Sequence, residues 1–509
     1  MNEKIIYEYN IPEYHPDTNC SSLYEARSIV SETSNIINPF DSEVTIIIQA
    51  YNRIEKTKQC IENLLKYTTG VKYDLLLIDN GSTDDTYEYF KSIPYDKVRI
   101  IHINRNITAS FTWNFIDLKM VSDYLVILAN DIIVTPNWLS NLLKAAKSDP
   151  RIGMVNPMSS NTSNLQCYSF NFTDIEDMQK KAEKLNVSDP KKWHERLRLI
   201  TLGTLLKKEC IYAIGLPVAD MGFFHDFADD DITFQVRRAG YKAILAKDTW
   251  IHHNHDVFKL ENKDPAEFQR SLDIGKENFR SKYFGVDAWD DVNNYIPEIL
   301  PKLNPPENKD NCYILGVDVK CGTPILEIKN HIRSFGVFDP VCSALTFDGK
   351  YFIDLQTVCG SENVFSCSPE NAFGYLPASI FDYIIIGNCI NEYPEPVKVL
   401  KSVYSLLKKG GQMFVYLRNI YDIYTFLNVI GHRNVQTKEI AYNMTLESFA
   451  DMLNDMNMSY EIIGAVPYES IPAEYINETN KRNTAFVQEC WNETNIRLTS
   501  EKFALCITK

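Results

Sequence analysis

The sequence predicts two α/β domains in series, each built on a largely parallel sheet. Three observations carry that expectation. Apolar runs of strand length alternate with helical periodicity over residues 43–285, and again over 311–509. In the first block every such run ends in polar residues, as the ligand edge of an open parallel sheet requires. Between the blocks, Tyr295–Asn311 is broken by Pro297, Pro301, Pro305 and Pro306 among charged residues, which reads as a seam.

Residues 1–42 carry turn formers with little periodicity and read as an N-terminal extension. Val44–Ile48 is β-branched and has the length of a buried strand, and Lys56–Tyr67 places Ile61, Leu64 and Leu65 on one helical face. Tyr73–Asp79, Val98–Ile103 and Tyr124–Leu128 are the next strands; the turn chemistry of Asp79-Asn80-Gly81-Ser82 closes the first of them. Ala228–Tyr241 reads as a helix that starts in three aspartates and ends in Arg237-Arg238, with Gly240 as its left-handed cap. After a linker at 286–310, Tyr313–Val317, Phe381–Ile386 and Gln412–Leu417 are strands again. Leu446–Leu453 is a helix capped by Thr445, and Tyr460–Val466 and Phe503–Thr508 close the chain as strands.

Composition narrows the function classes. The 509 residues hold 52 Lys+Arg against 67 Asp+Glu, a net charge of −15, which excludes nucleic-acid binding by phosphate neutralisation. A hydrophobic share of 45% excludes wholesale disorder. No apolar run approaches the roughly 20 residues of a membrane helix, and the start has no signal-peptide core. Twelve cysteines stand singly, without a Cys-x-x-Cys pair, as in a reducing compartment. The expectation is a soluble, cytoplasmic protein; oligomeric state leaves no signal.

Four sets of polar residues follow strands in the first block: Gln49-Ala50-Tyr51-Asn52, Asp79-Asn80, Arg105-Asn106 and Asn130-Asp131. A tyrosine at such an edge can stack on a nucleobase, Asp or Asn can bond its rim, and arginine can meet phosphate. A carboxylate after an apolar strand suits a hard divalent cation on a diphosphate. Trp250-Ile-His-His-Asn-His255 gathers three of the nine histidines, and imidazole also ligates such metals.

These segments resemble a known family. Thr45-Ile-Ile-Ile-Gln-Ala-Tyr-Asn52, Leu77-Ile-Asp-Asn-Gly-Ser-Thr-Asp-Asp-Thr86 and Leu128-Ala-Asn-Asp-Ile-Ile-Val-Thr-Pro-Asn-Trp-Leu139 are similar to the family-2 inverting glycosyltransferases of the GT-A fold, over roughly 43–285. The resemblance implies a nucleotide-diphosphate-sugar donor, with a uridine donor such as UDP-GlcNAc favoured, and a Mn²⁺ or Mg²⁺ ion. By position it implies nucleotide contacts at Gln49, Tyr51, Asn52, Asp79, Asn80, Arg105 and Asn130. Asp131 and His252 fall on the metal positions, within an Asp-x-Asp motif reduced here to Ala129-Asn130-Asp131. Asp229 falls on the catalytic base, with Asp231 as its alternative, while Asp230 points elsewhere on the helix. Thr201–Lys208 resembles the segment ahead of the acceptor site, and Asp220–Asp226 could line the acceptor groove.

Leu315-Gly-Val-Asp-Val-Lys-Cys-Gly-Thr-Pro324 resembles the first motif of class I methyltransferases that use S-adenosylmethionine (SAM), and the likeness runs over 311–509. Phe381–Asn388, Tyr393-Pro-Glu-Pro396 and Leu406–Gly411 resemble the later motifs, as do the closing helix and two strands. Lys320 and Pro324 replace the first and third loop glycines, leaving Gly322, and Asp339 or Asp348 could face a ribose. The implied domain is methyltransferase-like but non-catalytic. The leading expectation is therefore a glycosyltransferase acting on a protein (a flagellin-type Ser or Thr) or a glycan. The alternatives are a bifunctional glycosyltransferase–methyltransferase in surface-glycan synthesis and a non-catalytic binding protein.

Overall fold

Runs such as Tyr73–Asn80 become strands because both of their faces are covered: all eight of those residues are buried. The computed structural model describes residues 4–11, 37–107, 112–113, 117–215, 218–220, 223, 227–255, 265–429, 440–471, 475 and 496–509. It divides into two compact units, Met1–Asp290 and Asp291–Lys509.

The first unit holds a mixed ten-stranded sheet. Its strands are β1 (Ile5–Tyr9), β2 (Val44–Ala50), β3 (Tyr73–Asn80), β4 (Val98–Ile103), β5 (Tyr124–Ala129), β6 (Ile132–Ile133), β7 (Ile152–Ser159), β8 (Trp193–Glu195), β9 (Thr204–Lys207) and β10 (Lys242–His253). They lie in the order β1-β4-β3-β2-β5-β9-β7-β10-β6, with β8 on β10. Strands β1 to β5 run parallel, β9 is antiparallel to β5 and β7, and β10 is parallel to β7. The carboxyl ends of β2 to β5, β7 and β10 therefore share one edge, where the reversed β9 begins. Ile46, Ile48, Leu75 and Leu77 pack on one face of the sheet with Ile61 and Leu64 of the helix Ile54–Tyr67. Ile47, Leu76, Ile78 and Ile101 pack on the other.

Two segments differ from the sequence reading. Within the expected extension, Ile5–Tyr9 adds a parallel edge strand, pairing Ile5 with Arg99 and Tyr9 with Ile103. Within the expected linker, Val292, Ile296, Ile299 and Leu303 are buried, and the Tyr383 hydroxyl donates to the Asn304 carbonyl.

The second unit holds a seven-stranded sheet: β11 (Tyr313–Val317), β12 (Val341–Thr346), β13 (Val364–Ser366), β14 (Phe381–Cys389), β15 (Leu407–Arg418), β16 (Ser459–Pro467) and β17 (Ser500–Thr508). Their order is β13-β12-β11-β14-β15-β17-β16, parallel as far as β15, with β17 antiparallel to both neighbours. No helix among the described residues is long and apolar enough to cross a membrane.

No disulfide joins any two of the ten described cysteines, and nine of them are buried. Burial pushes the Cys60, Cys210 and Cys389 thiols up to about 12; burial also acts to raise the exposed Cys167, but hydrogen bonds from Thr162, Ser169 and Asn161 together outweigh it and hold that thiol below its ordinary value. Thiolate is the reactive form. Among the described cysteines, Cys167 is accordingly the one that Ellman's reagent modifies in the native protein, with the other nine reacting only after unfolding. Peptide mapping of the labelled chain checks this.

Candidate active site at the carboxyl edge of the first sheet

The edge is built first from turns. After β2, Asn52 and Arg53 both take left-handed backbone, at φ 57° and 64°. The turn after β3 holds them there: the Asn52 amide donates to Ser82 Oγ (2.9 Å), and Asn52 Oδ1 accepts from the Thr83 amide (2.7 Å). Asp84 takes the Ile54 amide (3.0 Å), satisfying one orphan donor of the helix that follows. Gly81 lets this turn close on the next strand end, because a Cβ there would stand 2.3 Å from the Arg105 backbone. The outcome is that Arg53 reaches Asp131, Nη1 to Oδ2 at 3.4 Å.

The residues expected at the nucleotide separate into two groups. Tyr51 is 43% exposed at the end of β2, with its ring available for stacking. Arg105 is half-buried, and its buried Nε has no hydrogen-bond partner. The others brace the rim. Gln49 donates to Thr112 Oγ1, and Asn130 Nδ2 donates to the Asn52 carbonyl (3.0 Å) and Thr57 Oγ1 (2.9 Å). Asp79 is fully buried; it accepts from the Ser82 amide (3.1 Å) and faces His102 Nδ1 at 2.6 Å. Asn80 bonds Asn106 and the Ile107 amide, both at 3.0 Å.

The histidine cluster differs from the expectation. Along β10, Trp250 packs into the core on one face of the sheet and Ile251 into the core on the other. Strand alternation then puts His253 with Ile251 and His252 with Trp250. His253 pairs across to Ile132, next to Asp131, so it is His253 and His255 that join Asp131, with ligand atoms all within 4.8 Å of one another. His252 instead places Nδ1 2.8 Å from Ser160 Oγ. His253 Nδ1 lies 3.0 Å from the Asn161 carbonyl, which can only accept, so this nitrogen carries the proton. Nε2 is left facing Asp131 Oδ1 at 3.7 Å.

Asp131 is buried, and its Oδ1 has no hydrogen-bond partner. Burial alone would raise its carboxyl; His253, Arg53 and Lys56 outweigh that and hold it below the ordinary value. An ionised carboxylate with an unsatisfied buried oxygen, opposite two imidazoles, is a donor set that fits a divalent cation.

The three aspartates of the helix Ala228–Arg238 have different environments. Asp230 is buried against Arg198 Nε, and burial pushes its carboxyl up to about 6 against that partner's pull. Asp231 is buried among the Tyr283 hydroxyl (2.5 Å), Lys282 (2.7 Å) and Gln235 (2.7 Å). Asp229 is half-buried and accepts a hydrogen bond from the Thr201 hydroxyl. Thr201 precedes β9, at the shared edge. Gly203 lets it approach β10, since a Cβ there would meet Ile251 Cδ1 at 2.5 Å. Of the expected acceptor segment, Phe223 is buried against Phe279, while 221–222 and 224–226 lie outside the described residues. Removing Arg198 strands a buried carboxylate: Arg198→Met should cost the first unit about 3–5 kcal/mol, seen as a lower urea midpoint for its transition.

Comparisons with known proteins bear on this edge. Residues 45–195 match the family model Glycosyl transferase family 2, so the chain carries a glycosyltransferase domain. "Uncharacterized protein y4gI" of Sinorhizobium fredii (strain NBRC 101917 / NGR234) is 22% identical over 260 residues, covering 48% of this chain and 28% of that protein. An "Uncharacterized glycosyltransferase" of Rickettsia bellii (strain RML369-C) is 32% identical over 105 residues, covering 20% of this chain and 15% of its own length. The chain thus spans under a third of either relative. Among solved structures, GalNAc-T7 with UDP, GalNAc and Mn²⁺ aligns at TM-score 0.36 and 12% identity, covering 50% of this chain and 53% of that one. The mannosyltransferase PcManGT of Pyrobaculum calidifontis with GDP-Man and Mn²⁺ aligns at TM-score 0.32 and 16% identity, covering 52% and 78%.

Proposed function

We propose that the first unit is an inverting, metal-dependent glycosyltransferase. It moves a sugar from a nucleotide-diphosphate sugar, a uridine donor such as UDP-GlcNAc favoured, to a hydroxyl of a protein or glycan acceptor, with a protein Ser or Thr preferred. The observation that carries the reading is the unsatisfied Asp131 oxygen facing His253 and His255 at the ligand edge of the sheet. Asp131, His253 and His255 would hold the ion, and when bound it would neutralise charge on the departing nucleoside diphosphate. Tyr51 stacks on the base and Arg105 meets phosphate, while Asn52, Asn80 and Asn130 fix the turns that aim them. Asp229 takes the proton from the attacking hydroxyl, with its carboxylate oriented by Thr201.

We further read the second unit as a non-catalytic methyltransferase-like domain. Support comes from the parallel sheet closed by an antiparallel β17, and from Lys320, which stands at φ 52° in place of a loop glycine. Buried cysteines with no disulfide among the described residues fit a cytoplasmic location. Donor hydrolysis over a panel of nucleotide sugars, with Mn²⁺ and then with chelator, tests the proposal. Release of nucleoside diphosphate from one donor, lost with chelator, is the expected result. No turnover together with no nucleotide binding by calorimetry would overturn it.

A further inference from the structure

In an open parallel sheet, ligands lie beyond the carboxyl ends of the strands, near the point where strand order reverses. In the second unit the order β13-β12-β11-β14-β15 reverses beside β11. The loops after β11 (residues 318–322) and after β12 (residues 347–351) frame that edge. Both converge on a single carboxylate from the segment ahead of β11. Asp291 is buried; it takes Lys350 Nζ at 2.8 Å, the Tyr351 hydroxyl at 2.9 Å and Lys320 Nζ at 3.4 Å.

Backbone groups of the first loop are tied to the same segment. The Cys321 amide donates to the Asp291 carbonyl (3.4 Å), the Thr323 hydroxyl donates to the Val292 carbonyl (2.5 Å), and Asn294 Nδ2 donates to the Val319 carbonyl (3.3 Å). One amide and one carbonyl of this loop, and the hydroxyl that opens the helix after it, are therefore engaged by residues 291–294. Lys320, held in left-handed backbone that only glycine adopts without strain, also contributes its ammonium to Asp291.

We propose that residues 291–294 are a built-in occupant of this crevice, with the Asp291 carboxylate serving as an internal anion for Lys320, Lys350 and Tyr351, so that the second unit takes no SAM. The proposal rests on the reading of this unit as non-catalytic and is independent of sugar transfer by the first.

The test uses the full chain and its Asp291→Ala variant, with Asp291→Asn as a second variant that keeps the shape and removes only the charge. In the variants, amide exchange across 319–323 should rise about tenfold or more as the strap opens locally. The thermal midpoint of Asp291→Ala should fall and recover with millimolar acetate, which leaves the unsubstituted protein unchanged. Calorimetric titration of the unsubstituted protein with SAM should give no saturable heat. Unchanged exchange in both variants, or saturable SAM binding by the unsubstituted protein, overturns the proposal. Donor hydrolysis measured on the same samples reports on the first unit separately.

Discussion

Asp229→Asn should lower transfer to the acceptor by about 10²–10⁴-fold while leaving nucleotide binding within about twofold. Asparagine keeps the size of the side chain and can still accept the Thr201 hydroxyl, so the rim should stay in place. What disappears is a basic oxygen able to take the acceptor proton. The contrast with Asp231 gives the result its meaning. That carboxylate is buried among Tyr283, Lys282 and Gln235, and Asp231→Asn unbalances a packed network. Its expected phenotype is lost stability, about 3–5 kcal/mol, with transfer by the folded fraction retained. Steady-state transfer, donor calorimetry and urea denaturation on both variants separate the roles. Full transfer by Asp229→Asn with loss in Asp231→Asn would reassign the base.

Much of this edge was legible because strand ends carry their own chemistry. The run Thr45–Ile48 has no exposed face, so the turn to polar residues at Gln49, Tyr51 and Asn52 marks the end of the strand at Ala50. What sequence could not supply is which way a side chain turns once the strand is placed. Trp250 and Ile251 are both large and apolar, and nothing in their order says which face of the sheet each will enter. That choice decides whether His252 or His253 meets Asp131. Likewise Asn130 reads as a ligand contact, yet a left-handed turn at Asn52–Arg53 presents a carbonyl that Asn130 is placed to hold. The edge strand Ile5–Tyr9 was hidden for another reason. Its first four residues alternate between half-buried and exposed and only Tyr9 is buried, so it forms no buried run, and its partner β4 lies some ninety residues away. The stretch 286–310 reads as a linker because prolines and charges dominate its second half, whereas Val292, Ile296 and Ile299 are spaced to pack inward.

The largest effect expected of the metal residues comes from Asp131. Asp131→Ala removes the ionised ligand of the set and the negative charge that Arg53 and Lys56 face. Chelator-sensitive donor turnover should fall below detection, and Mn²⁺ binding followed by calorimetry or electron paramagnetic resonance should be lost with it. His253→Ala and His255→Ala should each weaken Mn²⁺ binding more than His252→Ala does, since His252 is turned to Ser160. Ser160 Oγ also accepts the His253 amide at 3.0 Å, so it positions this ligand without touching the ion. Ser160→Ala should weaken Mn²⁺ by about 10–100-fold, the usual span for an outer-shell partner, while donor turnover recovers at saturating metal. One carboxylate and two imidazoles form a softer set than the all-oxygen cage that Mg²⁺ prefers, so Mn²⁺ should support more turnover than Mg²⁺ at equal concentration. Equal support by the two ions, with His253→Ala unaffected and His252→Ala inactive, would show that the ion takes its imidazole from the opposite face of β10.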